Sequence, residues 1–130
     1  MKALRLAGAM IITVIAASCL AHGKRQPSER DPYLIEAAEL LSTSHNNLYD
    51  AIRQLRPNWF TRDIRGLSMP ADRAIMIYVN DRRTGTASEL RGYPVTFPAR
   101  ARYLTPTDAQ VRYGQLNDMR PAIVLETDRP

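Results

Sequence analysis

The chain has little of several things that catalytic proteins depend on. It holds one cysteine, two histidines and six glycines in 130 residues. A single cysteine excludes an intrachain disulfide framework and any cysteine-rich zinc site. The histidines, His22 and His45, lack the His-x-x-x-His spacing that puts two imidazoles on one helix face. The glycines are dispersed, so no glycine-rich loop offers its N–H groups to a phosphate. Acids are scattered singly and no Asp-x-Asp run resembles a calcium loop. Neither a metal nor a cofactor is expected. The length excludes architectures that need roughly 200 residues or more, such as β/α barrels. The apolar run at residues 6–18 falls short of the about 20 apolar residues that a spanning helix requires.

What is present begins with an address. Lys2 and Arg5 precede a run holding Ile11, Ile12, Val14 and Ile15 among small residues. A basic start, a short apolar stretch and a small-residue end form a signal peptide, here over residues 1–18. The run closes on Ile15, Ala16, Ala17, Ser18 and Cys19, which resembles the lipobox of bacterial lipoproteins, with Ala16 where Leu is most frequent. That resemblance implies a diacylglyceryl group on the Cys19 thiol and removal of the leader before it. Leu20 follows the cysteine, not Asp, and the family's sorting pattern then implies the outer membrane, facing the periplasm. Acyl chains hold a domain on a membrane at about 0.8 kcal/mol per buried CH2 group. The alternative is ordinary cleavage after the small pair Ala16 and Ser18, which leaves Cys19 as an unpaired thiol in an oxidising compartment.

Loss of Lys2 and Arg5 reduces the 18 basic residues to 16 against 13 acids, so the net charge falls from +5 to +3. Residues 19–32 carry almost nothing apolar and end at Pro32, which reads as a flexible tether behind the lipidated Cys19. A single globular domain is expected over 33–130. Its start, with Leu34, Ile35, Ala37, Ala38, Leu40 and Leu41, reads as a short strand plus a helical turn, or as one short helix. Ser42, Thr43 and Ser44 are candidate capping hydroxyls for an amphipathic helix in which Leu48, Ala51, Ile52 and Leu55 share a face. That helix ends before Pro57. Trp59 and Phe60 are expected to close the core, and 61–72 to form a loop.

Residues 74–80 are apolar on both faces, as a central strand requires. Residues 80–85 are expected to turn the chain. Thr86 and Glu89 have the spacing of a capping box ahead of a short helix. A second strand is expected over 99–104, and a helix capped by Thr105 with Pro106 in its first turn and Gly114 at its stop. A third strand runs through Ala122, Ile123, Val124, Leu125 and Glu126. The fold class is therefore α+β: a small mixed sheet of about three strands with short helices, preceded by an amphipathic helix.

Ile77, Tyr78, Val79, Asn80 and Asp81, the helix with Glu89 and Leu90, the strand 101–104, the helix with Asp108, Arg112, Tyr113 and Gly114, and the final strand together resemble the plug domain of TonB-dependent outer-membrane receptors. The resemblance covers about 74–127. Asp81 and Arg82 depart from it where the family has Gly, as do Pro121 and Ala122 before the last strand. No barrel follows Pro130, and the tether holds no TonB box. The resemblance thus implies a fold and an outer-membrane setting without transport.

Arginine is the biased residue, the lysines being Lys2 and Lys24. The bland account is a GC-rich genome and solvated faces. The sharper account makes Arg82, Arg83, Arg100, Arg102 and Arg112 one candidate binding face that pairs with phosphates or carboxylates. Its partners would be an envelope protein, an anionic lipid or a cell-wall acid; nucleic acid is not expected, because the leader removes the chain from the cytoplasm. The expected function is a non-catalytic envelope lipoprotein that binds through this face or through an open sheet edge. The alternatives are a small periplasmic enzyme or ligand-binding domain, and a remnant of a receptor that has lost its barrel.

Overall fold

The computed structural model describes residues 31–61 and 69–128. The leader, Cys19 and the tether as far as residue 30 lie outside the described residues. Within them the chain forms β1 (Leu34–Glu36), α1 (Ala37–Leu41), α2 (Leu48–Leu55), α3 (Asn58–Thr61), α4 (Ala71–Ala74), β2 (Met76–Val79) and β3 (Arg82–Thr86). A 3-10 helix (Ala87–Gly92), β4 (Arg100–Leu104), α5 (Pro106–Tyr113), a 3-10 turn (Gly114–Asn117) and β5 (Ala122–Glu126) follow. The five strands make one mixed sheet in the order β1-β4-β5-β2-β3. The α+β class holds, whereas the expectation of about three strands falls short by the two edge strands.

The centre of the sheet follows from composition. Met76, Ile77 and Tyr78 of β2 and Ala122 to Leu125 of β5 are buried on both faces, and the two strands pair in parallel. β4 pairs antiparallel with β5, and its sides differ: Ala101 and Tyr103 are buried while Arg100 is exposed. One face of the sheet carries the larger core, where Ile35, Ile77, Ile123 and Leu125 pack with Leu40, Leu48, Ile52, Trp59 and Leu90. The other face carries a smaller core of Met76, Tyr78, Ala122 and Val124 beneath Ala109 of α5.

The edge strands escaped the sequence pattern for separate reasons. Asn80 and Asp81 both adopt left-handed backbone, φ 47° and 65°. Two such residues make the tight turn that matches strand twist, so β2 and β3 form a hairpin in place of a long loop. β3 has no apolar residue to announce it, and a bulge between Ile77 and Tyr78 breaks its alternation. β1 is only three residues long, and it resolves the earlier ambiguity as a strand followed directly by a helix.

Three local expectations change. Asn47, not Ser42 to Ser44, caps α2 by accepting from the Asp50 N–H at 3.0 Å. The Ser42 and Thr43 hydroxyls instead donate to the Glu39 and Leu40 carbonyls at the end of α1. Thr86 makes no capping bond: its hydroxyl pairs with Ser88 at 2.8 Å, and Glu89 folds against Gly85, so a 3-10 helix forms. Part of the expected loop 61–72 is helical, as α4, and residues 62–68 lie outside the described residues. Thr105 and Pro106 start α5 as expected, with Thr105 accepting from the Asp108 N–H at 3.2 Å.

Trp59 is 1% exposed, and its indole N–H donates to the Pro32 carbonyl at 2.9 Å. It thereby ties the start of the domain to α3, while its ring lies 5.4 Å from that of Tyr103. Trp59→Ala removes a large buried ring as well as this bond, and should lower unfolding free energy by about 3–5 kcal/mol in urea melts.

Candidate binding surface

The register of the sheet decides where the arginines go. Leu34 pairs with Arg102, Arg102 with Val124, Val124 with Tyr78, and Tyr78 with Arg83. Paired residues project to the same face, so this row crosses the smaller-core face from edge to edge. Arg102 and Arg83 stand three strand spacings apart, roughly 14 Å, and α5 covers the Tyr78 and Val124 between them. Arg100 opposes Glu126 and is ion-paired with it at 3.3 Å. Arg112, on α5, contacts the Asp81 carboxylate at 2.6 Å. Arg83 donates to the Leu116 carbonyl at 3.0 Å. Arg82 opposes Val79 and therefore projects to the larger-core side. The five expected residues thus do not form one patch. Arg83, Arg100 and Arg102 share a face, Arg112 stands on the helix above it, and Arg82 lies behind. Among the described residues, the Arg82 and Arg102 side chains form neither an ion pair nor a hydrogen bond, unlike those of Arg83, Arg100 and Arg112.

The most structured polar cluster was not legible as a unit. Tyr78 and Tyr113 stack with ring centroids 3.7 Å apart and planes 4° from parallel. The Tyr113 hydroxyl donates to Asp81 Oδ1 at 2.6 Å, the same oxygen that Arg112 contacts. The Tyr78 hydroxyl donates to Asn117 Oδ1 at 3.2 Å, and Asn117 Nδ2 donates to the Arg120 carbonyl. Burial pushes both phenols above the ordinary 10.0, and for Tyr113 the bond to Asp81 adds to it. A phenol held neutral at physiological pH is no base, and Asp81 is occupied. The cluster is a clasp that fastens the end of α5 to the hairpin turn.

Two shallow hollows flank the Tyr93 and Phe97 rings. One, of about 440 Å³, is lined by Ala37, Thr96, Phe97, Pro98, Ala99, Thr127 and Asp128. The other, also about 440 Å³, is lined by Val79, Asn80, Arg82, Thr84 and Tyr93. The first offers the Asp128 carboxylate and the second the Arg82 guanidinium. Among the described residues, no three His, Cys, Asp or Glu side chains gather as a metal site, and no helix is long and apolar enough to cross a membrane.

Comparison with family models, curated proteins and solved structures gives no match.

The tyrosine clasp has a pH signature. The unfolded chain ionises its phenols near 10, whereas the folded chain holds these protons to higher pH, so stability is full below about pH 10 and falls above it. Tyr113→Phe should lower the melting temperature at neutral pH, through loss of the bond to Asp81, and flatten the alkaline fall. Circular dichroism melts across that range report both effects.

Proposed function

We propose that the protein is an exported bacterial envelope lipoprotein, held by acyl chains on Cys19, whose domain is a non-catalytic module binding an anionic envelope component through unpaired guanidinium groups. The observation that carries this reading is how charge is distributed. Glu39 is ion-paired with Arg56 at 3.1 Å, Glu126 with Arg100, and Asp81 with Arg112. Asp50 and Asp108 are engaged with the capping residues Asn47 and Thr105. These five carboxylates are spent on the fold, while the Arg82 and Arg102 side chains keep their planar donor sets for a partner.

The edges favour this mode over strand addition. At β1, the Leu34 carbonyl accepts from Arg56 at 3.0 Å and the Leu34 N–H donates to Asp31. β3 is bulged and carries two exposed arginines. Bulges and charge are the devices by which edge strands avoid pairing. The likeness of residues 74–127 to receptor plug domains supports the envelope setting.

Two measurements test the proposal. Cells fed a tagged fatty acid should carry label on the wild-type protein in the outer-membrane fraction, and none on Cys19→Ala; unlabelled soluble protein from both strains would contradict the anchor. In-cell crosslinking should capture an envelope component with the wild type, and about tenfold less of it with the Arg82→Glu, Arg102→Glu double variant, because reversed charge opposes the same contact.

A further inference from the structure

The two hollows beside Tyr93 and Phe97 lie at one end of the sheet. β1, β2 and β5 finish there, at Glu36, Val79 and Glu126, while β3 and β4 begin there, at Arg82 and Arg100. They also share a face. Arg82 pairs with Val79 and Val79 with Leu125, which is buried in the larger core, and Thr127, two residues on, alternates back to the same side. Two ties join the hollows. Asn80 Nδ2 of one donates to the Thr127 hydroxyl of the other at 2.8 Å, and the Thr127 N–H donates to Asn80 Oδ1 at 3.0 Å. Tyr93 of one and Phe97 of the other have ring centroids 4.8 Å apart.

Charge divides between the halves. Arg82 lines one and Asp128 the other, and both residues are exposed. Among the described residues, neither side chain forms an ion pair or a hydrogen bond. Other charges at this end are directed elsewhere: Glu36, Arg100 and Glu126 make a cross-strand row on the smaller-core face, and Asp81 is held by Arg112 and Tyr113. The rest of the lining is uncharged and includes Val79, Tyr93, Pro98 and Phe97, a large ring left 36% exposed.

Resting on the reading above for Arg82, and adding Asp128 to it, we propose that the two hollows form one site for a short peptide with free ends, its carboxylate on Arg82 and its ammonium on Asp128. A planar guanidinium takes a carboxylate through two parallel hydrogen bonds. A ligand of one sign would cover the other charged group without pairing it, which costs free energy. A peptide carries opposite charges at its ends and an uncharged middle that packs on the Tyr93 and Phe97 rings. Its length sets the spacing of the two charges, at about 3.5 Å per extended residue.

Calorimetry of the envelope-purified protein with alanine peptides of about two to five residues tests this. One length should bind best, and N-acetylation or C-amidation of that peptide should each weaken binding at least about tenfold. Asp128→Asn should remove the effect of acetylation and keep that of amidation, and Arg82→Gln should do the reverse. Melts by circular dichroism should show both variants folded as the wild type is. Absence of binding by every peptide, equal binding of capped and free peptides, or capping effects indifferent to the two substitutions would each overturn the site. Envelope crosslinking that depends on Arg82 and Arg102, without peptide binding, defeats this site alone. Peptide binding with crosslinking unchanged in the double variant defeats the earlier reading and leaves the site standing.

Discussion

β5 is the constraint on which the rest depends. Ala122, Ile123, Val124 and Leu125 are wholly buried, so this strand needs a partner along both edges and a cover on both faces. β4 and β2 supply the edges, one antiparallel and one parallel. A parallel neighbour requires a crossover, and the long connection from β2 to β5 contains β3, the 3-10 helix, β4 and α5. The covers follow: α1, α2 and the 3-10 helix close one face, and α5 closes part of the other.

The two faces are used differently. The larger core excludes water with aliphatic side chains and Trp59, as any small domain requires. The smaller one is thin, and its helix is short with only Ala109 buried. Such a helix gains little from burial alone, and the Tyr78, Tyr113, Asp81 and Arg112 clasp supplies what packing does not. The same clasp continues through Asn117 into the left-handed turn that displays Leu116 and Met119.

How much of this was legible depended on whether a residue's role was local. β2 and β5 announce themselves through unbroken apolar runs, and α5 through Thr105, Pro106 and Gly114, because these signals lie within the elements they specify. β3 does not, since Arg82, Arg83, Thr84 and Gly85 look like loop, and only the left-handed tolerance of Asn80 and Asp81 hints at a hairpin. The capping role of Asn47 lost to its serine-rich prelude because a Ser-Thr-Ser run serves either helix that flanks it. The division of the arginines between the two faces follows from cross-strand register and a bulge, and neither is encoded within a single segment. Leu116 and Met119 carry no period at all, so nothing short of the folded backbone distinguishes them from core.

The central claim is that the domain meets an anionic partner through the Arg82 and Arg102 guanidinium groups, with its strand edges guarded. Amide hydrogen exchange, compared between the purified protein in solution and the protein in isolated envelope, tests this most directly. The account predicts slowed exchange around Arg82 on β3 and Arg102 on β4. Slowing confined to elements that carry neither residue, such as α2, would contradict it.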